Sequence, residues 1–117
     1  MNVYTKEEHT FVICAYKESK YLPDCIESLQ NQTIKSKIIL STSTPNEYIE
    51  NTAKKYDVQL RINQSEQSIY GETPGISKDW NYAYKQADSK LITLAHQDDV
   101  YQPEYLEIAL QSINFDM

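Results

Sequence analysis

Glycine is scarce in this chain: its 117 residues include only Gly71 and Gly75. Dinucleotide fingerprints and P-loops need several closely spaced glycines, because only bare backbone can pack tightly against a phosphate. The sequence therefore excludes both kinds of phosphate-binding loop. The two cysteines, Cys14 and Cys25, lie in apolar patterns without the spacing of a metal or redox motif. We therefore predict that both are buried, reduced thiols.

Long hydrophobic runs and excess positive charge are also lacking. No apolar run approaches the ~20 residues that a transmembrane segment needs, and the first ten residues contain no apolar signal region, so we expect a cytoplasmic protein. The net charge of -6 argues against a nucleic-acid partner, because proteins that bind the phosphate backbone are normally basic. A nucleotide remains compatible with this charge if a divalent cation lies between its phosphates and protein carboxylates.

Short apolar segments alternate with amphipathic ones along the chain. Continuous or alternating apolar residues predict four strands, at Phe11–Cys14, Ile38–Leu40, Val58–Ile62 and Leu91–Ala95. The β-α-β-α order implies right-handed crossovers and a mainly parallel sheet in a single domain, residues 1–117, with residues 1–9 irregular and His9 solvated. The first and fourth strands have the apolar character of strands buried on both faces, so we expect them to be neighbours in the middle of the sheet.

Helical spacing of apolar residues separates the strands. The first helix has its apolar stripe at Leu22, Cys25, Ile26 and Leu29. Thr44 is predicted to cap the second helix, with Pro45 at the first position and Glu47 completing a capping box. A third helix follows a long polar loop, and its apolar stripe is Ile76, Trp80, Ala83, Tyr84 and Ala87. Pro103 is predicted to open the last helix, with Leu106, Ala109, Leu110 and Ile113 directed inward.

In open parallel sheets, ligands bind beyond the carboxyl ends of the strands. The candidate turns are therefore Ala15 to Glu18, Ser41 to Thr44 and His96 to Tyr101. Asp98 and Asp99 repel each other, and a hard divalent cation would relieve that repulsion. Acids just before a helix are also favoured by the helix dipole, so both interpretations stay open. His96 has two interpretations as well, as a metal ligand or as a structural hydrogen-bonding group.

Three segments carry a resemblance to a known family. Tyr21-Leu-Pro-Asp-Cys-Ile-Glu-Ser-Leu29, followed by Asn31-Gln-Thr33, is similar to the first helix of family-two glycosyltransferases. Gly75-Ile-Ser-Lys-Asp-Trp-Asn-Tyr-Ala83 is similar to their Gly-x-x-x-Ala-Arg-Asn-x-Gly/Ala helix. His96-Gln-Asp-Asp-Val-Tyr-Gln-Pro-Glu-Tyr-Leu106 resembles their Asp-x-Asp-Asp-x-Tyr-x-Pro-x-Tyr-Leu segment. The resemblance spans about residues 10 to 113 and has the three motifs in the family's order.

This resemblance implies the nucleotide-sugar-binding half of a GT-A fold. That half is a Rossmann-like three-layer α/β/α arrangement of about four mainly parallel strands, in the order 3-2-1-4, with helices on both faces. The implied ligands are a nucleotide-diphosphate sugar and Mn2+ or Mg2+, and the implied chemistry is transfer with inversion at the sugar carbon. The implied metal ligands are Asp98 and Asp99, with His96 as a further candidate. The implied nucleotide-sugar-binding residues are Ala15, Tyr16, Lys17, Glu18, Ser41, Thr42, Asn81 and Asp98.

The chain also departs from the family's pattern. The first acid of Asp-x-Asp is His96 here, and the family's Asp-Asp-Gly-Ser-Thr turn is Ser41-Thr-Ser-Thr44. Trp80 replaces the Arg before Asn81, and Lys17 stands where Asn is usual. The family's general base and acceptor pocket come from a later segment, so we expect no catalytic base before Met117 and no sugar transfer by this chain alone.

Three other classes of protein have folds of a similar kind. A non-catalytic nucleotide- or partner-binding module of the same fold is the main alternative, which the short length supports. A phospho-receiver domain would need its acid pair after the first strand, where the sequence is Ala15-Tyr-Lys-Glu18. A nucleotidyltransferase of similar fold would need a basic, glycine-rich loop at that position. Neither pattern is present.

Overall fold

The computed structural model describes residues 5–62, 83–87 and 89–115. Residues 6–8 form a 3-10 turn, and residues 83–86 are helical. The strands are β1 (His9–Ala15), β2 (Lys37–Thr42), β3 (Gln59–Ile62) and β4 (Leu91–His96), and the longer helices are α1 (Leu22–Gln30), α2 (Glu47–Tyr56) and α3 (Tyr105–Phe115). No helix within the described ranges is long and apolar enough to cross a membrane.

The four strands form one parallel sheet in the order β3-β2-β1-β4. This confirms the predicted 3-2-1-4 order and the pairing of the first and fourth strands. Of these two strands only β1 is central, because β4 lies at an end of the sheet that the described residues form. Ile13 of β1 lies beside Leu40 on one side and Ala95 on the other. Phe11, Val12 and Ile13 are fully buried, as a strand covered on both faces requires.

Alternation along β1 divides the core between the two faces of the sheet. Phe11 and Ile13 belong to the larger cluster, which includes the buried residues of α1, α2 and α3. Val12 packs on the opposite face with Ile39 and with Ala83 of the helical residues 83–86. Helices therefore cover both faces, as predicted. In α1 the whole predicted stripe is buried, namely Leu22, Cys25, Ile26 and Leu29.

The start of α2 corrects one prediction. Its N-cap is Asn46, whose side-chain oxygen accepts a hydrogen bond from the Ile49 N–H at 2.8 Å. Thr44 does not cap the helix, because its hydroxyl instead accepts a hydrogen bond from the Lys17 N–H at 2.8 Å. Thr44 and Asn46 are both residue types that cap helices. Because the Thr44 hydroxyl is bonded to Lys17, Asn46 caps the helix.

A buried glutamine connects α1 to the start of α3. Gln32 is 2% exposed, and its amide donates to the Gln102 carbonyl at 2.7 Å while its oxygen accepts from the Leu106 N–H at 2.9 Å. The amide thus satisfies one of the donors that a helix N-terminus leaves unpaired. The helix begins at Tyr105 rather than at Pro103. This contact gives the Gln of the Asn-Gln-Thr segment a structural role.

Three residues predicted to be buried are partly or largely exposed. Ile113 is 37% exposed and Tyr84 is 59% exposed, and Cys14 is only half-buried. Leu106, Leu110 and Cys25 are buried as predicted. The rest of the predicted third-helix stripe before Ala83 lies outside the described residues.

The amino end of the sheet also differs from expectation. Residues 6–8 form a 3-10 turn and His9 is the first residue of β1, so the irregular start ends earlier than predicted. His9 is 4% exposed rather than solvated. Its ring packs edge-on against Phe11 at a centroid distance of 4.5 Å, and both ring nitrogens have hydroxyl partners, Ser36 and Thr93. The prediction of a solvated His9 is wrong because these partners are distant in sequence.

Candidate nucleotide-binding site

The carboxyl ends of β1, β2 and β4 meet at one edge of the sheet. In the strand register Ala15 lies beside Thr42, and Cys14 lies beside His96. The three turns that sequence analysis selected are therefore neighbours in space. Ala15 is buried, and the turn that follows it, residues 16–19, reaches the surface at Tyr16, which is 45% exposed. We call residues 16–19 the β1 turn.

Gln97 attaches the β1 turn to the end of β4. The Tyr16 N–H donates to Gln97 Oε1 at 3.0 Å, and Gln97 Nε2 donates to the Tyr16 carbonyl at 3.1 Å. One side-chain amide thus satisfies both backbone polar groups of Tyr16. It continues the pairing of the two strands beyond Cys14 and His96, the last paired residues.

Lys17 is held in a left-handed conformation. Its φ is 55°, a region that costs a non-glycine residue roughly 1–2 kcal/mol. Two contacts to the segment after β2 hold it there: the Lys17 N–H donates to Thr44 Oγ1 at 2.8 Å, and Asn46 Nδ2 donates to the Lys17 carbonyl at 3.0 Å. The resembled family has Asn here, a residue that tolerates this conformation better than lysine.

The end of β2 and the turn after it, residues 41–44, carry four hydroxyl groups and no acid, and Ser41 and Thr42 lie within β2 rather than in the predicted turn. Ser41 and Thr42 are buried, and Thr42 Oγ1 accepts a hydrogen bond from the Thr44 N–H at 3.0 Å. Ser43 is also buried, and its hydroxyl has no hydrogen-bond partner among the described residues. The predicted contacts of Ser41 and Thr42 with a nucleotide stay predictions. Asn81 lies outside the described residues.

The acid pair lies in a short turn directly after β4, residues 97–99, which we call the acid turn. Asp98, Asp99 and His96 are exposed. The backbone of His96 is fixed, because its carbonyl accepts from the Asp99 N–H at 3.2 Å and its N–H donates to the Tyr101 hydroxyl at 3.3 Å. Asp98 Oδ1 accepts a hydrogen bond from the Ser19 hydroxyl at 2.6 Å. This contact joins the acid pair to the β1 turn.

The two acids impose a negative potential on their surroundings. Cys25 lies under the turn, where its thiol donates to the His96 carbonyl at 3.2 Å. Burial raises the pKa of the Cys25 thiol to about 12, and the charges of Asp99 and Asp98 contribute to the rise. Burial also raises the pKa of Tyr101, with a smaller contribution from Asp99. A thiolate is therefore disfavoured here, and a cation at this edge would be stabilised.

The donor set fits a hard divalent cation that is held partly by a nucleotide. No three His, Cys, Asp or Glu side chains form a metal-binding group within the described part of the chain. Mg2+ and similar ions are commonly bound through only one or two carboxylates, with phosphate oxygens and water completing the coordination. Asp98 and Asp99 supply two adjacent carboxylates at an exposed edge, which is the arrangement that this mode of binding uses.

Comparison with known proteins identifies the family. The model of glycosyl transferase family 2 matches residues 10–117. The chain belongs to glycosyl transferase family 2. No curated protein matches its sequence at a significant level.

Solved structures of family 2 glycosyltransferases and related proteins share this fold. TarS from S. aureus, in a structure of residues 1–349, has a TM-score of 0.74 and 22% identity over 92% of this chain and 32% of that one. PcManGT, a mannosyltransferase from Pyrobaculum calidifontis in complex with GDP-Man and Mn2+, has a TM-score of 0.70 and 13% identity over 92% and 32%. Glucosyl-3-phosphoglycerate synthase from Mycobacterium tuberculosis, in complex with Mn2+, UDP and glucosyl-3-phosphoglycerate, has a TM-score of 0.72 and 13% identity over 92% and 40%. The chain thus covers 32–40% of the length of the chains in these three structures.

Two residues of this family 2 site were missed by sequence analysis. Ser19 and Gln97 form the hydrogen bonds that join the turns after β1 and β4, across 79 and 81 positions of sequence. Both residue types are common on surfaces: Gln97 stands at the variable position of the resembled Asp-x-Asp segment, and Ser19 comes directly after the candidate turn Ala15 to Glu18. The available signal was their position: each lies within a few residues of a strand's carboxyl end, next to a predicted ligand.

Proposed function

We propose that this chain is the donor-binding domain of a glycosyltransferase, which binds a nucleotide-diphosphate sugar through a divalent cation. The observation that carries the proposal is the hydrogen bond of 2.6 Å between Ser19 and Asp98, which places the acid pair beside the β1 turn at the carboxyl edge. Similar structures of low identity were solved with GDP-Man or UDP together with Mn2+. Family membership and the geometry of the edge point to the same class of ligand.

In this proposal the β1 turn lies along the nucleoside. Tyr16 presents a half-exposed ring that can stack on a base, and Glu18 offers an exposed carboxylate to a ribose hydroxyl. Asp98 and Asp99 serve the ribose and the cation, and His96 is the third candidate ligand at the end of β4. A bound Mn2+ or Mg2+ would neutralise the charge that develops on the departing diphosphate.

We further propose that transfer inverts the sugar carbon and that its general base is not among the described residues. Such a base must lie within ~3 Å of the acceptor hydroxyl, on the face opposite the leaving diphosphate. Among the described strand-end turns, the acids are Glu18, Asp98 and Asp99, and this proposal assigns all three to the donor. The chain alone is expected to bind the donor without acceptor-dependent turnover. Acceptor-dependent release of diphosphate by the purified chain would contradict this expectation.

Calorimetry with UDP and GDP tests the binding proposal. We expect weak binding in the presence of Mn2+ and at least about a tenfold weaker affinity in the presence of a chelator, because the acid pair and the phosphates repel each other without a cation. Asp98→Asn and Asp99→Asn should each weaken the Mn2+-dependent binding. Glu104→Gln is the matched control, since Glu104 is an exposed acid in the segment that follows the acid turn. Equal binding with Mn2+ and with chelator would refute the metal-dependent site.

The alternative is a non-catalytic module of the same fold. It is favoured by His96, which stands where the family has the first acid of Asp-x-Asp, and by the hydroxyl turn at residues 41–44. A module of this kind would bind a nucleotide without hydrolysing any nucleotide sugar. Slow hydrolysis of the donor that depends on Mn2+ and disappears in Asp98→Asn would favour the enzyme.

A further inference from the structure

Ser19 occupies a junction between three segments of the chain. Its hydroxyl donates to Asp98 Oδ1 at 2.6 Å and accepts from the Tyr21 N–H at 3.2 Å. Its carbonyl accepts from the Leu22 N–H at 3.2 Å and from the hydroxyl of Tyr48 in α2. The residue is therefore fixed at both its backbone and its side chain, at the point where α1 begins.

The direction of the Ser19–Asp98 hydrogen bond follows from chemistry. An ionised carboxylate can only accept, so the serine proton must point at Asp98 Oδ1. The Tyr21 N–H approaches the same hydroxyl as a donor, which leaves the serine proton for Asp98. Among the described residues the Asp98 carboxylate has no second hydrogen-bonding partner, and Asp98 is exposed.

The β1 turn, to which Ser19 belongs, is also attached to the acid turn through Gln97. Gln97, the residue before Asp98, binds both backbone polar groups of Tyr16 at 3.0 and 3.1 Å. The β1 turn and the acid turn are thus joined at two points, through Gln97 to Tyr16 and through Ser19 to Asp98. A carboxylate held in this way loses little further freedom when it binds a cation.

We propose that Ser19 is a positioning residue for the nucleotide-bound cation: it holds Oδ1 of Asp98 and thereby directs Oδ2 towards the metal. This inference rests on the proposed function. Hydrogen bonds to metal-binding carboxylates orient the ligand before the metal arrives. Without the serine hydroxyl, Asp98 rotates freely at the surface, and binding must pay for ordering it.

Mn2+ affinity in the presence of saturating UDP or GDP tests the inference, with free Mn2+ followed by its electron paramagnetic resonance signal. Ser19→Ala is expected to weaken Mn2+ binding by about tenfold or more, the usual effect of losing a partner that orients a metal ligand. Ser19→Thr keeps a hydroxyl and should restore most of the affinity. Ser112→Ala removes an exposed hydroxyl from α3 and should behave like the wild type.

A double-mutant cycle separates positioning from a general loss of structure. In the Asp98→Asn background, Ser19→Ala should cause little additional loss of Mn2+ affinity, because the partner that it orients is already changed. Thermal unfolding of each variant reports whether the fold is retained. Mn2+ affinity of Ser19→Ala within about twofold of wild type, against the tenfold expected, would overturn the inference and leave the proposed function standing. Failure of the wild type to bind Mn2+ with either nucleotide would refute the proposed function itself.

Discussion

Protonation of His9 should destabilise the protein in mildly acidic solution. The Ser36 hydroxyl donates its only proton to a hydrogen bond with the His9 carbonyl. Ser36 Oγ must therefore accept a hydrogen bond from the Nδ1–H of His9, at 2.9 Å. His9 Nε2 is then the acceptor for the Thr93 hydroxyl at 2.7 Å. The network is thus satisfied by a neutral imidazole with its proton on Nδ1. A second proton, on Nε2, would remove the acceptor that Thr93 uses and place a charge in a ring that is 4% exposed.

The size of the effect follows from linkage. Burial lowers the pKa of His9 from 6.5 to about 4. Above pH ~6.5 both the folded and the unfolded state are neutral at this residue, so His9 contributes no pH dependence there. Below that value the unfolded state gains a proton that the folded state does not bind, and stability falls until the folded pKa is reached. The loss is about 2 kcal/mol between pH 7 and pH 5 and approaches about 3 kcal/mol below pH 4.

Urea unfolding at about pH 7 and about pH 5 measures this loss, and the difference between wild type and His9→Gln isolates it from other titrating groups. His9→Gln will lower stability at both pH values, but its stability should change less with pH, by about 2 kcal/mol. Ser112→Ala, which removes an exposed hydroxyl from α3, should keep the wild-type pH dependence. If wild type and His9→Gln lose equal stability on acidification, the assignment of a buried neutral histidine is wrong.

Three further substitutions test local features of the fold. Asp57→Gly should stabilise the protein by about 0.5–1 kcal/mol in urea unfolding, because Asp57 ends α2 with a φ of 55° and glycine adopts that conformation without strain. Asn46→Ala should cost about 1 kcal/mol through loss of the α2 cap, whereas Asn46→Asp keeps the cap and loses only the bonds that the amide donates to the Lys17 and Thr44 carbonyls. Gln97→Met should cost about 1 kcal/mol and weaken Mn2+-dependent nucleotide binding, since it frees the Tyr16 backbone; an unchanged affinity would show that this attachment does not shape the site.

Strand order and core positions could be predicted because they follow from the local pattern of apolar and polar residues and from the alternation of strands with helices. Phe11 to Ile13 are apolar without interruption, which specifies burial on both faces, and the alternation of strands and helices requires parallel pairing. The apolar stripe of α1 was predicted in full for the same reason. The exposed Ile113 and Tyr84 were not, because helical spacing places a residue on a face without showing what covers that face.

The hydrogen bonds of the site could be predicted only in part. The acid pair could be selected as a candidate because it directly follows the end of a predicted strand. The roles of Thr44 and His9 were mistaken, because their partners lie 27 or more positions away in the sequence. A hydroxyl or an imidazole has several possible partners, and local sequence does not select among them. The same reason explains why Ser19 was missed.

The titratable groups at the two edges of the sheet differ in burial, so substitutions can change the stability of the fold and the binding of a ligand separately. At the amino end His9 is buried, and its hydrogen bonds require a neutral ring. At the carboxyl edge Asp98 and Asp99 are exposed, and exposure lets both carboxylates stay charged, as the proposed cation site requires. The seven residues of β1 place these features roughly 20 Å apart, a distance at which substitutions act independently. Changes at His9 should therefore alter unfolding without altering Mn2+-dependent nucleotide affinity, and changes at Asp98 should do the reverse. A His9 variant that remains folded yet loses nucleotide binding would show that the sheet transmits strain from one edge to the other.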